Sequence, residues 1–158
     1  MLTNYHQIDK AKMTRKQPPD FSLFPFHLPV QTRWDDNDIY GHLNNTVHYR
    51  LFDTAVNRFL IDHHMLDFHQ GKTVYLVVET SCTYFAELAY PDDLIVGVAI
   101  SHLGNSSVSY HTALFRQGET KAAAAGQFVH VCVDKQTRQP VSIDPDSRAK
   151  FAKLKLAD

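Results

Sequence analysis

The chain has 158 residues, 44% hydrophobic and 21% charged, with a formal net charge of −1, which fits one globular domain large enough to bury a core. So balanced a charge gives no whole-chain case for nucleic acid or for an anionic membrane surface. No apolar run approaches the roughly 20 residues that span a bilayer.

Residues 1–25 hold Pro18, Pro19 and Pro25 and no clear period. They are expected to form an extended N-terminal arm ahead of a single domain over 26–158. Lys10, Lys12, Arg15 and Lys16 lie there without an apolar stretch of the signal-peptide kind, and Asp9 argues against a transit peptide, so a cytoplasmic location is expected. Phe26 to Trp34 reads as a first strand, and Pro29 places it at a sheet edge or makes it start late. From Thr46 to Met65, Phe52, Ala55, Val56, Phe59, Leu60 and His63 recur at three- and four-residue steps, one face of an amphipathic helix. Asn44 or Asn45 is suited to cap it.

From Val74 the pattern changes to strands. Val74 to Phe85 is rich in Val, Thr, Tyr and Phe. Leu94 to Leu103 alternates, Gly104-Asn105 makes a hairpin turn, Ser107 to Arg116 follows, and Thr120 to Val133 is a long last strand. Ala122 to Ala125 favours helix on propensity, but it lies between a turn and the strand pattern of Phe128 to Val133, so strand is expected, with small side chains admitting a close neighbour. Asp144 and Pro145 open a short C-terminal helix reaching Leu156. The order implies an α+β layout, an antiparallel sheet of about five strands wrapped around one long central helix. One such helix covers one face of the sheet, so the other face is expected to find a partner. Cys82 and Cys132 sit in apolar strand-like stretches without metal-type spacing and read as buried free thiols.

The run from Asp35 to Asn45, Asp-Asp-Asn-Asp-Ile-Tyr-Gly-His-Leu-Asn-Asn, precedes the long helix. The first N–H groups of a helix have no intrahelical acceptor and lie at the positive end of its dipole. A carbonyl oxygen docked there is polarised, and developing negative charge is stabilised. Asp38, across a turn containing Gly41, could attack that carbonyl as nucleophile or serve water as general base. Spacing alone favours the plainer reading, a solvated acidic loop ahead of the helix.

Trp34 to Asn45, followed by Tyr49, Phe52, Asp53 and Ala55, resembles the signature of hotdog-fold acyl-CoA thioesterases of the 4-hydroxybenzoyl-CoA thioesterase class: Asp-x-Asp, a short turn, Gly-His-Val-Asn-Asn, then a helix that starts with aromatics. Leu103 to Ser107 resembles the family's turn before the penultimate strand, and Asp134 to Pro140 its closing turn. The resemblance covers about residues 27 to 156. It implies a hotdog fold, an acyl-CoA or acyl-carrier substrate, and a homodimer or homotetramer with active sites at subunit interfaces. It places Asp38 at the catalytic carboxylate and Asn45 at the backbone donor to the thioester carbonyl. Gly41 permits the turn, His42 and Asn44 shape the loop, and Ser106 and Ser107 fall along the thioester and pantetheine channel. No metal or cofactor is implied, CoA being a product. Leu43 replaces the commoner Val, and His48 stands where an aromatic is common, which makes the acyl pocket more polar. Family members differ in whether the working carboxylate precedes the helix or lies on it, so Asp53 and Glu79 are secondary candidates; their plain readings are a helix-surface carboxylate and a structural partner.

The remaining motifs carry little. His63, His64 and His69 lack the spacing of a zinc motif, and there is no Gly-x-Ser-x-Gly elbow. Gly71-Lys72-Thr73 lacks the upstream glycine of a phosphate loop. Arg50, Lys72, Arg116 and Lys121 are each eligible to meet CoA phosphates. A thioester hydrolase is the leading expectation; a non-catalytic acyl-CoA or acyl-carrier binding module of the same fold is the alternative.

Overall fold

The computed structural model describes residues 16–67 and 69–156; Lys10, Lys12, Arg15 and the start of the expected arm lie outside the described residues. In chain order the elements are β1 (Phe26–Gln31), α1 (Asn45–Asp62), β2 (Thr73–Thr80), β3 (Thr83–Tyr84), β4 (Asp93–Leu103), β5 (Ser107–Arg116), β6 (Ala124–Asp134) and α2 (Pro145–Ala152). The sheet runs β1-β4-β5-β6-β2, with β3 continuing along β6, and every pair is antiparallel. β1, with Pro29, is an edge strand as expected. β2 is the other edge.

Alternation on the central strands makes two faces. Leu94, Val96, Val98 and Ile100 of β4, Val108, Tyr110 and Leu114 of β5, and Phe128 and Cys132 of β6 pack inward with Phe52, Val56, Phe59 and Leu60 of α1. Each large apolar side chain buried this way contributes about 1.5–3 kcal/mol, so the helix is held by its face rather than by propensity. Asp144 caps α2 by accepting from Ser147 N–H at 2.9 Å, with Pro145 at the first helical position.

The outer face departs from expectation. Phe24 is fully buried there with Ala99, Ala113, Phe115, Ala122 and Ala125, and Phe21 and Leu23 pack against them. The segment is tied down by Phe21 N–H to Thr120 O (2.8 Å) and Ala122 N–H to Pro19 O (3.0 Å). The chain's own residues 19–24 therefore cover much of the face expected to need a partner; Gly97, where a Cβ would lie 2.7 Å from Phe24 Cγ, and the small side chains of Ala99, Ala113, Ala122 and Ala125 leave them room.

The predicted strand Val74 to Phe85 is interrupted after Thr80. β2 bulges between Val77 and Glu79, and Ser81 then presses on Gly126, where a Cβ would run into the Ser81 carbonyl. The ladder resumes as β3, so the sheet has six strands rather than five. Among the described residues no helix is long and apolar enough to cross a membrane. Both cysteines are free, Cys132 buried and Cys82 half-buried, the latter more accessible than expected.

Candidate active site at the start of the long helix

The approach to α1 is a closed loop. A single 3-10 turn over Trp34–Asp36 leads into it. Asp38 N–H then donates to His42 O (2.8 Å), Gly41 N–H to Asp38 O (3.1 Å), and Asn44 N–H to Asp36 O (2.9 Å), while Asn37 and Leu43 lie opposite each other. Gly41 has φ +81°, a conformation side chains resist. The Asp38 carboxylate is held by Tyr40 N–H (2.8 Å) and His42 N–H (3.3 Å). Asp38 stands two residues from the Asp36–Asn44 contact, at most about 7 Å of extended chain.

At the helix start, Asn44 Oδ1 accepts from Thr46 N–H at 3.0 Å, and Val47 N–H donates to Asn44 O at 2.9 Å. Asn45 N–H has no acceptor among the described residues. This N–H lies at the positive end of α1. His48, one turn in, is buried against Tyr84 (ring centroids 4.9 Å) with Nδ1 3.3 Å from Asn44 O. Burial holds its pKa below the ordinary histidine value.

The other expected residues lie elsewhere. Ser106 and Ser107 precede and open β5, with Ser107 opposite Val131, at the end of the sheet away from Asp38. Within one chain they do not join the loop. Asp53 is on the exposed side of α1, about 12 Å along the axis from Asn45. Desolvation raises its carboxyl above the ordinary value, opposed by Asn57 Nδ2 donating at 2.9 Å. Glu79 is exposed on the β2 edge beside the bulge. His63 caps the end of α1, with Nδ1 2.9 Å from Phe59 O.

A family profile, the thioesterase-like superfamily, matches residues 32–151. The chain belongs to this superfamily. The PA5185 protein of Pseudomonas aeruginosa is 45% identical, with a TM-score of 0.86 over 89% of this chain and 98% of that one. YsmA of Bacillus subtilis, an uncharacterized protein, is 26% identical over 119 residues, 75% of this chain and 80% of that one. A 1,4-dihydroxy-2-naphthoyl-CoA thioesterase from Synechocystis shares the fold at 19% identity, with a TM-score of 0.72 over 82% of this chain and 96% of that one. The fold is the hotdog fold.

Around this loop and helix start, two residues carry weight that their spacing in the chain did not disclose. Asp36 is only 3% exposed. Its Oδ1 pairs with the Arg50 guanidinium on α1 and its Oδ2 accepts from Arg33 N–H at 2.8 Å, so it bolts the loop to the helix. Glu87, in the connection before β4, meets His42 Nε2 at 3.1 Å. Leu43, which replaces the commoner Val, is buried and donates its N–H to Leu88 O at 2.6 Å. The loop is therefore fastened on both sides, and its tip bears Asp38 between exposed Ile39 (92%) and Trp34 (80%).

Proposed function

We propose that the protein hydrolyses the thioester of an acyl-CoA or acyl-carrier substrate to a free acid and a thiol. The supporting observation is the open Asn45 N–H at the start of α1, beside a loop whose hydrogen bonds hold the Asp38 carboxylate. The thioester carbonyl oxygen accepts from Asn45 N–H, which polarises it for attack. Asp38 takes a proton from water as the water oxygen bonds to the carbonyl carbon, or attacks that carbon itself to give an anhydride that water then opens. In either case the C–S bond breaks and the thiolate leaves as a thiol after taking up a proton. An oxyanion donor of this kind contributes about 10²–10³ in rate and a general base about 10²–10⁴.

The working unit of this proposal is a dimer with the site at the subunit interface. β2 is an unpaired edge carrying exposed Leu76, Val77 and Val78, which a second β2 would cover in antiparallel pairing. Ile39 and Tyr40 stand in water beside Asp38, whereas donors to an oxyanion act most strongly where water is excluded. A second subunit would supply that cover.

One observation favours a second reading. Asp38 Oδ1 already accepts two N–H groups of its own loop, which is what a purely structural carboxylate would do in an acyl-CoA or acyl-carrier binding module. Thiol release from a panel of aliphatic and aromatic acyl-CoAs separates the two. Turnover by the wild type and a loss of at least about a hundredfold in Asp38→Asn support hydrolysis. No turnover, with acyl-CoA still raising the melting temperature, supports the binding module.

A further inference from the structure

The loop that bears Asp38 rests on the connection between β3 and β4. Its two legs, Asn37 and Leu43, lie opposite each other, and both dock there. Asn37 Oδ1 accepts Tyr90 N–H at 2.9 Å, and Leu43 N–H donates to Leu88 O at 2.6 Å. The His42 ring meets Glu87 at 3.1 Å, and the Trp34 indole stands edge-on to the Tyr90 ring, with centroids 6.0 Å apart. Asp38 is thus flanked on both sides by residues that residues 87–90 hold in place. One of the two N–H groups on its carboxylate belongs to His42, so a shift of the connection is felt at that carboxylate.

Residues 85–92 form no helix or strand, so their shape depends on what ties them to the sheet. At one end Phe85 N–H and Ala86 N–H both donate to Ala123 O, at 2.8 and 3.0 Å. At the other, Thr32 Oγ1 donates to Asp92 O at 2.7 Å. Between these ties stands Arg116, the last residue of β5, opposite Leu94. This cation, eligible by sequence to meet CoA phosphates, is engaged within the chain. Its Nη2 donates to Glu87 O at 2.8 Å, and its Nε meets Asp92 Oδ2 at 3.2 Å. Asp92 Oδ2 also accepts Ala89 N–H at 3.1 Å. One planar guanidinium therefore clasps the connection from Glu87 to Asp92, while its Nη1 pairs with Glu119 at 2.8 Å. The rigid fork of an arginine fixes the angle between its partners, which the point charge of a lysine does not.

We infer that Arg116 is a positioning residue for the reaction. By clasping Glu87 and Asp92 it fixes the connection on which Asn37, His42 and Leu43 rest, and so sets where the Asp38 carboxylate stands relative to Asn45 N–H. It acts through those contacts and not on the substrate. This rests on the proposed thioesterase reading.

Three variants test it. Arg116→Lys keeps the charge and loses the fork, Arg116→Ala removes both, and Glu119→Gln is the control that leaves the contacts to the connection intact. Amide hydrogen exchange reads the loop without any need for turnover. In Arg116→Lys, Tyr40 N–H and His42 N–H should exchange at least about tenfold faster while the amides of β4 and β5 keep wild-type protection, because local opening and global unfolding are separate events. Thiol release should show kcat lowered about ten- to a hundredfold, the scale of a displacement of about 1 Å, with KM and the melting temperature close to wild type. In an Asp38→Asn background the same substitution should lower kcat no further, because it acts through that carboxylate. Glu119→Gln should match wild type in exchange and in rate. Unchanged exchange at Tyr40 and His42 in both Arg116 variants overturns the inference, even if wild type releases thiol. So does faster exchange spread evenly through the sheet, or an equal loss of kcat with and without the Asp38 carboxylate; each marks a role in stability alone. Faster exchange confined to the loop, with no thiol release by wild type from any substrate, keeps the positioning contact and removes the hydrolytic reading.

Discussion

Two carboxylates in one loop have opposite lives. At the root, Asp36 is buried, paired with Arg50 and bonded to Arg33 N–H. At the tip, Asp38 is half-buried and held only by N–H groups of its own turn. The contrast teaches how one short loop divides its labour: the paired root fixes the loop's position, which leaves the carboxylate at the tip open to its surroundings.

The largest expected effect is on rate. Asp38→Asn should lower kcat/KM for the best acyl-CoA by about 10²–10⁴ with no change in melting temperature beyond a degree or two. A large loss of stability in this variant would erase the distinction between tip and root. Next, Arg50→Ala should destabilise the fold by about 3 kcal/mol, the low end for breaking a buried pair, because Arg50 itself is half-exposed. Urea unfolding checks it, and Asp36→Asn should cost less, since the guanidinium left behind is hydrated.

Acid sharpens the comparison from outside the loop. Burial pushes His130 down to about 4 from 6.5. The unfolded chain therefore binds the proton more tightly, so His130 favours unfolding as pH falls from about 6.5 toward 4, by about 3 kcal/mol in all. His130→Phe should flatten that part of the stability–pH curve in chemical unfolding. Variants of Asp36 and Asp38 are then best compared above pH 7.

Smaller effects belong to the backbone of the tip. Gly41→Ala should cost about 1–2 kcal/mol, because its φ is +81° and no neighbour lies where the Cβ would go, so the penalty is conformational alone. If Asp38 works from the tip, activity should fall further than stability. Asn44→Ala should cost about 1 kcal/mol through the lost cap on Thr46 N–H, measured by the shift in the urea midpoint.

Much of this was legible in the chain because it is local. The spacing of Phe52, Ala55, Val56, Phe59 and Leu60 states which face of α1 is buried, and the pair Asn44 and Asn45 marks its start to within a residue, with the structure choosing Asn44 as the cap and ending the helix at Asp62 rather than Met65. The open N–H of Asn45 follows from that start, and Pro29 marks the edge position of β1. These features follow from the helical and strand periods and from the unsatisfied groups at a helix end, which involve residues a few positions apart.

What tertiary structure alone decided are partnerships between distant residues. Asp36 finds Arg50, His42 finds Glu87, and Phe24 finds Ala99 and Phe115 across the outer face. The break in the predicted strand at Ser81 is set by Gly126 on the neighbouring strand. Which acids Arg116 and Lys121 meet is likewise decided by folding, which brings Asp92, Glu119 and Asp20 beside them. None of these leaves a period or a motif, because an ion pair or a packed ring depends on the position of its partner in space and not on its distance along the chain.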